Sequence, residues 1–173
     1  MTKCIFLDRD DTLIVDQNYL KDPNLVILEP DAVNGLRLLS QAGYKLVMIT
    51  NQSGIGRGYF TVEDLNAVHA RLAELLQAEG VKLDGIYYCP HAPSEDCYCR
   101  KPRTGMLEQA DRDFHFDHSS AAMIGDGKGD IGMAKAFGIK AIQVTYGKKT
   151  PLEGADFVCN TILDAANFIL EHL

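Results

Sequence analysis

Six short apolar runs, most of them separated by a helix-like stretch, constrain what this chain can fold into more than any other feature. They fall at 4–7, 45–50, 85–88, 121–124, 141–144 and 156–159. Continuous apolar runs of this length predict strands covered on both faces. Helices are expected at 31–41, from Thr61 to Gly80, and at 105–114, 130–137 and 161–173. The second is the clearest. Thr61 and Asp64 have the spacing of a capping box, and Leu65, Val68, Leu72, Leu75 and Leu76 form one apolar stripe that Gly80 ends. Strands alternating with helices predict an α/β fold, a parallel sheet with helices on both faces. Ligands of such sheets bind beyond the carboxyl ends of the strands.

Several of those ends carry chemistry. The first run leads directly into Asp8, Asp10 and Thr12, the second into Thr50, Asn51, Gln52 and Ser53, and the fourth into Gly125 and Asp126, with Asp130 after them. Arg100 and Lys101 follow the third run at a distance. Asp8 and Asp10 alternate with Arg9, so on an extended backbone they point the same way, with Thr12 in the same parity. An isolated pair of aspartates is as often a solvated turn. With all these groups on one rim the pattern fits phosphoryl transfer, which needs a nucleophile, charge neutralisation and a proton for the leaving group. Asp8 could attack and form an acyl-phosphate, Asp10 could act as acid and then base, and Lys101 could neutralise charge, with the Thr50 hydroxyl as a further donor. Mg²⁺ prefers oxygen ligands, which Asp8 and Asp126 could supply.

The length of 173 residues suits one domain, 1–173, with a core that needs no disulfides. The net charge of −7 argues against non-specific nucleic-acid binding, which needs a basic face. No apolar run approaches the ~20 residues of a membrane span, and no secretory signal is visible, so a cytoplasmic location is expected. A monomer acting on a small molecule is the expected state. Three of the five cysteines, Cys89, Cys97 and Cys99, crowd together with His91, which favours a metal over disulfides. Three thiolates and an imidazole suit tetrahedral Zn²⁺ in a closed, structural site across 89–99. Such a site would position Arg100 and Lys101. Cys4 and Cys159 are expected as small buried hydrophobes. His69, His115, His118 and His172 lack a metal-like cluster and are expected mostly on the surface, and Lys148 and Lys149 as an exposed loop pair.

The motifs built on Asp8, Asp10 and Thr12, on Thr50, on Lys101, and on Gly125, Asp126 and Asp130 together resemble the four motifs of the haloacid dehalogenase (HAD) superfamily of phosphatases. The resemblance implies a Rossmann-like fold, here without a large cap domain. It implies that Asp8 is the nucleophile and Asp10 the acid/base. Mg²⁺ would be held by Asp8, the Asp10 carbonyl and Asp126, supported by Asp130. The stretches DRDDTL, TNQSGIGRGYFT, DGIYYCPH and CYCRKPRTGM are similar to the heptose-1,7-bisphosphate 7-phosphatase family of lipopolysaccharide biosynthesis, with histidinol-phosphate phosphatases as near relatives. Both carry the same Cys-x-His…Cys-x-Cys loop. That likeness implies substrate contacts from Asp16, Gln17, Asn18, Tyr19, Thr50, Asn51, Gln52, Ser53, Arg100 and Lys101. Three positions depart from it. Asp11 stands where glycine is usual, Gly127 where Lys or Arg is usual, and Arg103-Thr104 where a basic-Pro pair is usual. A non-catalytic phosphosugar-binding module is disfavoured, because binding an anion requires neither Asp8 nor Asp10.

Overall fold

The computed structural model describes residues 2–173. One parallel sheet holds six strands: β1 (Cys4–Leu7), β2 (Lys45–Asn51), β3 (Gly85–Cys89), β4 (Ala122–Gly125), β5 (Lys140–Val144) and β6 (Phe157–Cys159), in the order β3-β2-β1-β4-β5-β6. Five α-helices connect or flank them: α1 (Ala32–Gln41), α2 (Val62–Ala78), α3 (Gly105–Phe114), α4 (Lys128–Phe137) and α5 (Ile162–His172). The expected strands and helices are all present, with ends shifted by one or two residues where they differ.

Side-chain alternation on the central strands builds the two faces. Ile5 and Leu7 of β1, with Leu46 and Met48 of β2, meet α1, α2 and α5 through Leu36, Leu72 and Ile169. Cys4 and Phe6, with Val47 and Ile49, meet α3 and α4 through Leu107 and Met133. The stripe on α2 thus packs in the core, and its capping box is formed in both directions between Thr61 and Asp64. Such a cap contributes about 1 kcal/mol. Cys4 is fully buried, whereas Cys159 is only partly covered. Among the described residues no helix is long and apolar enough to cross a membrane.

This strand order reverses direction between β1 and β4, which opens a crevice at their carboxyl ends. There the Asp8 N–H donates to the Ile124 carbonyl at 3.0 Å, joining the two strand ends. The chain then turns sharply. Asp11 adopts a left-handed φ of 54°, its N–H donates to Ile14, and the N–H groups of Leu13 and Ile14 converge on the Arg9 carbonyl. The turn breaks the extended backbone, so the parity expected for Thr12 does not hold. Thr12 is instead fully buried.

Candidate active site

Lys101 organises the crevice. Its ammonium donates to Asp8 Oδ1 at 2.8 Å, Asp130 Oδ1 at 2.6 Å and the Ile49 carbonyl at 2.9 Å, which uses all three N–H bonds. Burial disfavours its charge, but Asp130 and Asp8 outweigh that and raise its pKa. Burial and the Asp130 charge push Asp8 up, with Lys101 opposing. Asp8 Oδ1 also accepts from the Arg9 N–H at 2.8 Å, while Oδ2 has no hydrogen bond among the described residues. Asn51 fixes the backbone of Lys101, accepting its N–H at 3.0 Å and donating to its carbonyl at 3.2 Å.

Asp130 sits in the first turn of α4, and its Oδ2 accepts from the Gly127 N–H at 3.0 Å. Gly125 is required here, since a Cβ would collide with the Asp130 carboxyl group. One oxygen each from Asp8, Asp126 and Asp130 lie within 4.8 Å of one another. Both Asp130 oxygens are already engaged, so Asp8 and Asp126 are the side chains free to hold a divalent ion. Burial first, and then the Asp8 charge, raise Asp126 to about 7 despite an ion pair with Lys149. A dense group of carboxylates, one of them driven toward neutrality, fits a cation.

The Asp10 carboxylate turns away from this group. It accepts from Arg9 Nε at 3.2 Å and Nη2 at 3.0 Å, and from Gln52 Nε2 at 3.2 Å. Gln52 also donates to Thr50 Oγ1 at 2.8 Å, which leaves the buried Thr50 hydroxyl proton free to be given. A cleft of about 280 Å³ opens over Asp8, Asp10, Asp126 and Lys101. A second hollow of about 210 Å³ adjoins it, lined by Asp16, Asn18, Tyr19, Asn51, Gln52 and Ser53. A larger hollow of about 430 Å³, around His118, Lys135 and Lys140, lies at the opposite rim, far from these groups.

Three of the expected contact residues line neither hollow. Thr50 is buried, its hydroxyl against Gln52. Gln17 is half-buried and donates to the Leu25 carbonyl. Arg100 lines a neighbouring hollow against Cys97 and Lys101, with its Nη1 buried and unpartnered among the described residues. Lys128 does not substitute for the missing side chain at Gly127, since it faces a different hollow beside Pro151 and Leu152.

Sequence reasoning missed three groups. His69 is buried on α2, 3.3 Å from Arg9, and burial and the arginine charge lower it to about 3. It followed the apolar stripe by one position, the only hint available. Arg9 read as a spacer, yet its side chain is 1% exposed. Lys148 and Lys149 are not a free pair. Lys149 bridges Asp11 (2.8 Å) and Asp126, and Lys148 approaches the buried Glu29 at 4.0 Å. Lys149 thus answers the unusual carboxylate of Asp11.

Ahead of Arg100, Cys89, His91, Cys97 and Cys99 bring their ligand atoms within 4.8 Å. The sulfurs lie 2.9–3.6 Å apart and His91 Nδ1 is 3.2 Å from Cys99 Sγ. No pair is near the ~2.05 Å of a disulfide. Four inward-facing ligands around one point suit a tetrahedral ion, whose Zn–S bonds of about 2.3 Å leave no open position. Arg103 donates to the carbonyls of Asp96 and Cys97 at 2.9 and 2.7 Å, so it supports the knuckle.

Comparison with known proteins agrees with this geometry. A HAD-hydrolase-like family model matches residues 98–165. The chain is 38% identical to the D-glycero-beta-D-manno-heptose-1,7-bisphosphate 7-phosphatase of Haemophilus ducreyi, over 96% of this chain and 98% of that protein. It belongs to the heptose-bisphosphate phosphatase family. The Haemophilus influenzae member is 39% identical over 95% of both chains. A solved family member, the D,D-heptose 1,7-bisphosphate phosphatase of B. bronchiseptica complexed with magnesium and phosphate, superposes with a TM-score of 0.88 at 32% identity, covering 99% of this chain and all of the other. The fold is therefore the HAD-like parallel sheet with helices on both faces and no large cap, and the Cys/His cluster is compatible with a zinc-binding loop.

Proposed function

We propose that this phosphatase removes the 7-phosphate of a D-glycero-D-manno-heptose 1,7-bisphosphate through an aspartyl-phosphate on Asp8, as a cytoplasmic monomer folded as one domain. The observation that carries the chemistry is Lys101 held between Asp8 and Asp130 beside Asp126. Asp8 attacks phosphorus as the bond to the sugar oxygen breaks, and Asp10 gives that oxygen its proton. Asp10 then takes a proton from water, which displaces Asp8 from phosphorus and releases phosphate. Thr50 and Lys101 stabilise charge on the transferring group. Asp8, the Asp10 carbonyl and Asp126 would hold Mg²⁺, which when bound neutralises phosphoryl oxygens.

The raised pKa of Asp126 gives this reading a pH signature. An ionised Asp126 destabilises the metal-free fold as pH rises from the ordinary 3.8 through about 7. Below about 7 the cation must displace a proton. Mg²⁺ should therefore raise Tm more at pH 8 than at pH 6, with apparent affinity falling about tenfold per unit below that value. Thermal melts across a Mg²⁺ titration check this, and a shift independent of pH would place the ion elsewhere.

The sugar is proposed to occupy the hollow beside Asp10, with Arg100, which lines a neighbouring hollow, turning to take the distal phosphate. Zn²⁺ is the ion proposed for the knuckle. Phosphate release from the heptose bisphosphate should exceed that from histidinol phosphate by at least about 100-fold in kcat/KM, since a charged site with no second phosphate loses a charge-assisted contact. Equal values would transfer the assignment to the histidinol enzyme. Running both anomers of the bisphosphate identifies the one preferred; the Haemophilus relatives are named for the beta form.

A further inference from the structure

The geometry points to His69 and Arg9 as a positioning pair for the proposed acid/base. His69 fixes the Arg9 guanidinium, and Arg9 holds the Asp10 carboxylate where it meets the sugar oxygen and later the water. The inference rests on the aspartyl-phosphate reading above and concerns only how Asp10 is aimed.

The Arg9 side chain is 1% exposed, and a buried guanidinium left unpaired is strongly disfavoured. A site that needed only packing would be filled by an apolar side chain. Here every direction of the guanidinium that has a partner points into the acid/base machinery. Nε and Nη2 make a two-pronged contact with both oxygens of Asp10, at 3.2 and 3.0 Å. Such a fork fixes the plane of a carboxylate as well as its distance. Nη1 meets His69 Nε2 at 3.3 Å.

Arginine only donates, so Nε2 must accept, and a neutral ring then carries its proton on Nδ1. Burial and the Arg9 charge keep the ring neutral, with its pKa lowered to about 3. Tyr88 packs edge-on to the imidazole at 6.4 Å, which adds to its confinement. His69 comes from the middle of α2 and Gln52 from the residue after β2, so Asp10 is held from two separate parts of the chain.

The test separates proton transfer from phosphoryl transfer. The sugar oxygen is a poor leaving group and needs the Asp10 proton. The dinitrophenolate of 2,4-dinitrophenyl phosphate leaves without one, yet hydrolysis of the aspartyl-phosphate still needs Asp10 as base. With Mg²⁺ present, His69→Leu should lower kcat on the heptose bisphosphate about 100-fold with KM unchanged, the scale of a misplaced catalytic group. On the dinitrophenyl ester the same variant should release one equivalent of phenolate at the wild-type rate and then slow, as phosphoenzyme accumulates.

His69→Gln keeps an acceptor for Nη1 and should recover to within a few-fold of wild type. Arg9→Met should repeat the burst, and if it fails to fold, the two His69 variants decide alone. Loss of the first-turnover burst in step with the sugar substrate, failure of the glutamine to recover, or a His69→Leu enzyme of full activity would each overturn the positioning role. A wild-type enzyme inert toward both esters would overturn the aspartyl-phosphate reading beneath it, and the inference with it.

Discussion

Asp8→Asn is expected to lower turnover by about 10⁴-fold or more, the scale on which a covalent nucleophile is lost. The amide nearly matches the carboxylate in size but has no nucleophilic oxygen at neutral pH. The fold should not pay for the change. Lys101 keeps Asp130 at 2.6 Å and the Ile49 carbonyl at 2.9 Å. Burial and the neighbouring Asp130 charge raise the pKa of Asp8, so ionising it costs stability as pH rises above the ordinary 3.8. Without Mg²⁺ the variant should therefore melt no lower than wild type at pH 8. Phosphate release and a thermal melt on the same sample check both halves. Residual turnover within tenfold of wild type would remove Asp8 from the mechanism.

Cys97→Ser should release the metal proposed for the knuckle and, with it, much of the affinity for substrate. Three ligands would remain, and a serine hydroxyl is a poor match for the thiolate it replaces. The damage should be local. The two apolar layers against the sheet do not depend on residues 89–100 except through Cys89 and the half-covered Cys97 and Cys99. Lys101 is still tied to Asn51 on β2 by two hydrogen bonds. Arg100 has no such tie among the described residues, so substrate binding should suffer more than assembly of the Lys101 centre. A rise in KM of about 10- to 100-fold is expected, the range seen when groups supporting a site are removed. Metal analysis, limited proteolysis of the loop and steady-state kinetics read the three effects. A metal-free variant with wild-type KM would separate the knuckle from substrate binding.

What could be read in the sequence follows the range over which each interaction acts. The strands were legible because burial on both faces leaves continuous apolar runs, as at Lys45–Asn51. α2 was legible because its cap lies three residues from its partner. The convergence of Asp8, Thr50 and Asp126 followed from one rule about parallel strand ends. What stayed hidden depends on contacts between residues far apart in the chain. Arg9 reaches His69 across 60 positions, and Lys149 reaches Asp126 across 23. Neither residue has a local pattern that distinguishes it from a solvated charge. The parity of Thr12 failed for a local reason: Asp11 takes a left-handed turn where glycine is usual, and Lys149 holds its carboxylate there.

The bridge from Asp11 through Lys149 to Asp126 has a consequence for the order in which molecules arrive. Asp8, Asp10, Asp11, Asp16, Asp126 and Asp130 line the cleft, where Lys101 and Lys149 face them and Arg9 lies behind Asp10. Six potential negative charges against three positive ones make the empty mouth repulsive to a phosphate dianion. A divalent ion cancels two of the three in excess and draws Asp126 away from the lysine. Ordered addition, cation before ester, is the expected result, with Lys149, released from Asp126 but still paired with Asp11, left as an ammonium beside the path of the anion.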